Sequence, residues 1–150
     1  MQIVDSPNRP SQKTMVIPNL SFHHLGLAVR QPQPAKAFVS VLGYFVGETV
    51  FDQEQNVFAI LCTHNTEPAI EILWPGQTTG PLDAVINRRP SGIIYHICYE
   101  TNNLSEALND FEKNGNRVIC ISPPQPAPLF SNRQVSFYNI MGIGLVELLS

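Results

Sequence analysis

Four side chains carry the types and spacing that could hold a divalent metal. His24 and His96 occupy two similar stretches, Phe-His-His-Leu-Gly-Leu-Ala-Val at 22–29 and Ile-Tyr-His-Ile-Cys-Tyr-Glu at 94–100. Each is followed by a glutamate inside an apolar run: Glu71 lies 47 residues after His24, and Glu147 lies 51 residues after His96. Imidazole nitrogen and carboxylate oxygen together suit Zn, Fe, Mn, Co or Ni, with positions left for substrate or water. A strand histidine alone is more often a hydrogen-bonded core or surface residue. The carboxylates are harder to dismiss, because Glu71 shares a strand face with Ala69 and Leu73, and Glu147 with Leu145 and Leu149. Burying a carboxylate among such companions is costly unless it is paired, protonated or bound to a metal.

The elements that must position these groups come in duplicate. Laying His24 on His96, an offset of 72, also lays Ala35 on Ala107, Gly43 on Gly115 and Val46 on Val118 without a gap. If an approximate two-fold axis relates the two halves, equivalent strands face one another and the four residues can meet at one point. In the first half, 22–29 alternates as a strand, with His24, Gly26 and Ala28 on one face. A helix is expected from Pro34, carrying Ala35, Phe38, Val39 and Leu42 at helical spacing until Gly43 ends it. Strands at 44–51, 56–62 and 69–74 follow, giving βαβββ. The second half repeats the plan. Its strand at 93–101 leads to a helix over 104–114 with a capping box of Asn103 and Glu106, closed by Gly115, and then to strands at 117–121, 134–138 and 144–149. The chain therefore divides into an arm (1–20), a first module (21–75), a linker (76–92) with a short helix over 82–87, and a second module (93–150), together one structural domain. The arm reads either as a disordered tail or as a dimer-wrapping or lid segment. The linker is long enough to let the modules pair within one chain or across a dimer.

Four prolines between 123 and 128 read as a stiff loop at a sheet edge. That loop is either purely structural or one wall of a ligand pocket, where Arg133 or Asn132 meets an anionic or amide group. Cys98, two residues past His96, is either a thiol near the site or a small buried hydrophobe. His23 and His64 read as surface residues, and Trp74 as packing.

Composition sets the outer bounds. With 43% hydrophobic and 14% charged residues the chain is expected to be compact rather than disordered. A net charge of −3 without a basic run argues against a nucleic-acid backbone or an anionic membrane as partner. Three cysteines without C-x-x-C spacing fit a reducing compartment. No apolar run approaches the roughly 18 residues of a membrane span, and the N-terminus lacks a signal-peptide layout, so a cytoplasmic protein is expected.

Four motifs in order, His24-Leu-Gly-Leu-Ala-Val, Ile70-Glu71-Ile-Leu, Tyr95-His96-Ile-Cys-Tyr-Glu and Leu145-Val-Glu147-Leu, resemble the metal-ligand motifs of the vicinal oxygen chelate superfamily. That superfamily includes glyoxalase I, methylmalonyl-CoA epimerase, extradiol dioxygenases, fosfomycin-resistance enzymes and bleomycin-resistance proteins. The similarity runs over 22–149 and is strongest to the methylmalonyl-CoA epimerase-like branch. It implies an α+β fold in which two paired βαβββ modules form a cupped eight-stranded mixed sheet around a divalent metal (Co, Zn, Mn, Ni or Fe), with a homodimer as the usual assembly. It implies that His24, Glu71, His96 and Glu147 are ligands, that Glu147 carries the catalytic proton, and that Glu71 is a ligand or a second base. The implied reaction is proton abstraction beside a chelated carbonyl, an epimerisation or isomerisation of a small acyl thioester on CoA or a carrier protein. A glyoxalase I-like lyase, a dioxygenase, a metal-dependent transferase and a bleomycin-resistance-like sequestering protein are the alternatives. In one respect the chain departs from some epimerases, which place a further carboxylate in the strand that here holds Val57, Phe58, Ala59 and Ile60. A second base is then left to Glu71, Glu54 or water.

Overall fold

The computed structural model describes residues 19–150. The expected N-terminal arm lies outside the described residues except for its last two positions. Strand β1 (Ser21–Ala28) leads into helix α1 (Pro32–Val41), then into β2 (Phe45–Val46), β3 (Val50–Asp52), β4 (Val57–Thr63) and β5 (Ala69–Pro75). After helix α2 (Pro81–Arg88) the pattern returns as β6 (Ile93–Glu100), α3 (Leu104–Lys113), β7 (Val118–Ala127), a 3₁₀ turn (Pro128–Phe130), β8 (Arg133–Ile140) and β9 (Gly144–Leu149). The fold is α+β, a mixed sheet of nine strands and three helices. None of these helices is long and apolar enough to cross a membrane.

The strand order is β2-β4-β5-β1-β6-β9-β8-β7, with β3 also on β4. β1 runs parallel to β5 and β6 parallel to β9, and the two halves join where β1 meets β6 antiparallel. The modules therefore pair edge to edge within one chain, which the linker length left open. The ninth strand arises because the expected strand at 44–51 is broken in two. Phe45–Val46 pairs with Cys62 and Thr63, the Gly47 N–H still donates to Leu61 O at 3.1 Å, and ladder pairing resumes only at Val50 against Ala59.

Period-two alternation sorts the side chains onto the two faces of the sheet. On β5, Ile70, Ile72 and Trp74 pack with Ala35 and Val39 of α1, while on β9, Val146 and Leu148 pack with Leu104, Leu108 and Phe111 of α3. Helices α1 and α3 thus cover one face. On the other face, Ala28, Val57, Ala59 and Leu73 are covered by Leu82 and Ile86 of α2, and Cys98, Val135, Phe137 and Leu149 gather around Phe130. Glu71 and Glu147 point to this second face, which is interior rather than solvent.

Four local expectations are corrected. Helix α1 begins at Pro32, not Pro34, since both prolines fit a first turn whose N–H groups have no intrahelical acceptor. Its apolar stripe is narrower than expected, because Phe38 is 62% and Leu42 50% exposed. The capping box on α3 is half formed: Asn103 Oδ1 accepts from the Glu106 N–H at 3.0 Å, but the Glu106 carboxylate turns away to accept from Asn19 Nδ2. Finally, the proline run belongs to a strand. Pro123, Pro124 and Pro126 lie in β7, which among the described residues pairs only with β8 and shifts register twice, once on either side of Ser122. An edge strand leaves one row of backbone groups unpaired, so prolines are tolerated there.

Candidate metal centre

The four central strands each contribute one side chain: Glu71 from β5, His24 from β1, His96 from β6 and Glu147 from β9. Register brings them together. Gly26 stands opposite both Glu71 and His96, and Cys98 stands opposite both His24 and Glu147. Gly26 and Cys98 are themselves equivalent under the internal offset, so each ligand pair is built around the same lattice position of its module. At Gly26 the absence of a side chain makes the space: a methyl placed there would lie 2.3 Å from His96 Cε1.

His24 Nε2 lies 3.1 Å from Glu71 Oε2, 3.1 Å from His96 Nε2 and 3.4 Å from Glu147 Oε2. His96 Nε2 lies 3.1 Å from Glu71 Oε2 and 2.8 Å from Glu147 Oε2. All four residues are buried. The structure thus gathers His24, Glu71, His96 and Glu147 at one point, as the duplicated spacing anticipates.

Donor atoms about 2.1 Å from one ion at a right angle lie about 3 Å apart, the spacing found here. Two nitrogens facing each other at 3.1 Å, and a buried Glu147 Oε2 that is close to His96 Nε2 at 2.8 Å without the direction of a hydrogen bond, are poorly served by one another. Two imidazoles and two carboxylates also neutralise a divalent charge. The residues present fit a transition metal.

Electrostatics of the metal-free cluster agree with this reading. Burial alone would pull the His96 pKa down, but the carboxylates of Glu147 and Glu71 outweigh it and raise the value to about 9. Burial works upward on Glu71, and His24 and His96 overcome it to hold the carboxyl at about 2. His24 is raised for the same reason as His96. Without a metal the cluster holds its charge as imidazolium against carboxylate; a cation would replace those protons.

A cavity of about 430 Å³ opens on this side of the sheet. Leu73, Tyr95, Phe137 and Leu145 give it apolar walls, while Glu54, Asn56, Thr78, Ser122 and Gln125 supply polar groups. Tyr95 and Phe137 also meet the His96 ring, with centroids at 5.6 and 5.5 Å, so the cavity and the cluster share a boundary.

Other sequence-predicted positions fall elsewhere. Arg133 donates to Glu100 Oε2 at 3.2 Å on the surface, and Asn132 is an exposed turn residue with φ 61°. Neither lines the cavity. Cys98 is the exception: it is fully buried beside Phe137 and Leu149, its Sγ lies within 4.8 Å of a ring nitrogen of His23 and of His24, and burial first, then Glu147, push its thiol far above the usual range. Trp74 stacks on Phe58 at 5.6 Å and also stays outside the cavity.

Two residues at the centre were not anticipated from the sequence. His23 Nδ1 lies 2.7 Å from His24 Nδ1, and Phe130 stacks on the His24 ring at 5.3 Å and 24°. The adjacent His-His pair was the available signal for the first. Phe130 gave none, because its approach depends on the fold of the proline-rich segment.

The model of the Glyoxalase/Bleomycin resistance protein/Dioxygenase superfamily matches residues 23–137. The ethylmalonyl-CoA/methylmalonyl-CoA epimerase of Cereibacter sphaeroides is 30% identical over 105 residues, covering 69% of this chain and 77% of that protein. The mitochondrial methylmalonyl-CoA epimerase of Bos taurus is 29% identical over 99 residues, 65% of this chain. That match spans 55% of the bovine protein, little more than half its length. Among solved structures, the methylmalonyl-CoA epimerase of Mycobacterium tuberculosis has a TM-score of 0.73 at 16% identity, covering 91% of this chain and 92% of that one. A hypothetical protein of Bacillus halodurans has a TM-score of 0.69 at 22% identity, covering 87% and 93%. These structural likenesses are likenesses of fold.

Proposed function

This chain belongs to the Glyoxalase/Bleomycin resistance protein/Dioxygenase superfamily, in its methylmalonyl-CoA epimerase-like branch, and from that premise we propose that it is a metal-dependent epimerase or isomerase of a small acyl thioester. The observation that carries the reading is the convergence of His24, Glu71, His96 and Glu147, all buried, beside a cavity with apolar walls. His24, Glu71, His96 and Glu147 would hold a divalent ion, which would supply Lewis-acid stabilisation of negative charge on a substrate oxygen.

The chain's own residues do the rest. Glu147 uses one carboxylate oxygen, Oε2, in the cluster and leaves the other to accept the proton. Glu71, on the opposite side of the histidines in strand order, is the candidate to return a proton to the other face of the carbon. Glu54 is the carboxylate on the cavity wall and the further candidate for that second role. Leu73, Phe137 and Leu145 exclude water, which strengthens each charge interaction within. The substrate class, an acyl thioester on CoA or a carrier protein, rests on the relatives, whose names specify methylmalonyl-CoA and ethylmalonyl-CoA.

The test is isotope exchange. Metal-loaded protein is incubated in D₂O with a panel of 2-substituted acyl-CoA thioesters, and deuterium at the α-carbon is followed by NMR. Exchange that disappears on chelation and in Glu147→Gln supports the proposal. A metal-loaded protein that exchanges no thioester refutes it. Turnover of a hemithioacetal, or uptake of oxygen, would then move the chain to the glyoxalase or dioxygenase chemistry of the same superfamily.

A further inference from the structure

His23 precedes a proposed ligand by one residue, and in a regular strand its side chain would point to the opposite face. It does not. Phe22 pairs with Tyr99 and His24 with Cys98, so two steps along β1 match a single step along β6, and His23 is the extra residue of a β-bulge. Bulges re-aim side chains, and this one turns the His23 ring until its Nδ1 is 2.7 Å from His24 Nδ1. Phe130 fixes both rings, edge-on to His23 at 5.3 Å and stacked on His24 at 5.3 Å.

At 2.7 Å one nitrogen must donate and the other accept, since two lone pairs or two protons cannot face each other there. The opposite nitrogen of His24, Nε2, faces Glu71, His96 and Glu147. Ligation through Nε2 requires a lone pair at that atom, hence a proton on Nδ1. That proton then lies on the line to His23 Nδ1, which accepts it and keeps its own proton on Nε2. His96 has no such support, because its Nδ1 is buried without a hydrogen-bonding partner among the described residues.

We propose that His23 is a positioning residue of the metal centre, accepting the Nδ1 proton of His24 and so holding that ring in its metal-binding tautomer and orientation. The inference rests on the metal-centre reading above. Acceptors for the free N–H of a ligating histidine are usually carboxylates, backbone carbonyls or water; here the acceptor is a neighbouring imidazole, brought round by a bulge.

The test uses Co(II) alone as the probe, titrated in competition with a chelator, on wild type, His23→Leu, His23→Asn and His24→Ala. Leucine and asparagine have nearly the same shape, but only asparagine offers an acceptor where Nδ1 stood. His23→Leu is expected to weaken Co(II) binding by about 10- to 100-fold, with the stoichiometry at saturation unchanged, and His23→Asn to recover most of the loss. Equal affinities in wild type and His23→Leu, or equal losses in the leucine and asparagine variants, overturn the proposal and leave the metal centre standing. Co(II) uptake absent from wild type, or undiminished in His24→Ala, overturns the metal-centre reading and this proposal with it.

Discussion

Substituting Gly26 by alanine adds one methyl group and removes no ligand, yet it should disable the metal centre. The added carbon would lie 2.3 Å from His96 Cε1 and 2.5 Å from both ring nitrogens. Non-bonded carbons rest about 3.5–4.0 Å apart, so the ring and strand must separate by about 1 Å. His96 has little room to move: it is 2% exposed, and Tyr95 and Phe137 pack against its ring. Overpacking of this kind costs about 1–3 kcal/mol. Replacing a strand glycine returns about 0.5–1 kcal/mol. The net loss, centred on about 1 kcal/mol and at most about 2.5 kcal/mol, should lower the melting temperature of a domain this size by up to roughly 10 °C. The effect on metal is sharper, because ligand distances tolerate only about 0.2 Å. A ligand displaced by about 1 Å loses its bond, and affinity should fall at least about tenfold, ~1.4 kcal/mol. Two measurements check this: metal equivalents per chain with chelator competition, and melting temperatures of the double-mutant cycle Gly26→Ala, His96→Ala and both together. In the His96→Ala background the methyl has space, so its stability cost should vanish. Wild-type metal affinity in Gly26→Ala, or an unchanged stability cost in the double mutant, would refute the reasoning.

Metal removal should make stability depend on pH in a defined way. His96, raised from 6.5 to about 9 in the folded metal-free protein, contributes stability that is complete below about 6.5 and lost as pH rises through about 9. Glu71, lowered from 4.5 to about 2, contributes above about 4.5 and loses its contribution as pH falls toward 2. The melting temperature of stripped protein should therefore be highest between about 4.5 and 6.5 and fall by pH 9.5, while the loaded protein keeps its stability on the alkaline side; parallel alkaline profiles would contradict the arrangement. Away from the site, Asn103→Ala removes the 3.0 Å cap on the Glu106 N–H and should cost about 1 kcal/mol. A urea midpoint shifted with metal affinity unchanged is the expected result, and a change in affinity would show that α3 is coupled to the centre.

Much of the site was written in the chain itself. The duplication is visible as an offset of 72 residues, and strand alternation alone assigns Glu71 and Glu147 to faces with apolar companions. Both features are local or repeated, so they survive without knowledge of which strand neighbours which. The same locality explains the glycine ends of the two helices: Gly43 and Gly115 both adopt φ 89°, a conformation that only glycine reaches without strain.

What the chain could not state were relations between distant segments. That β1 meets β6 depends on long-range pairing that leaves no periodic trace in the linker. The prolines of β7 read as a loop because their missing N–H groups forbid a central strand, and only the sheet order reveals an edge where they are harmless. Face assignment for His23 failed because one bulge inverts the alternation, and a bulge is a property of two strands in register rather than of either alone. Gly26 looked like one small residue among several until the strand opposite it supplied the ring of His96. Residue type and spacing named the four candidate ligands; tertiary pairing decided that they converge, what holds them and which neighbours they cannot do without.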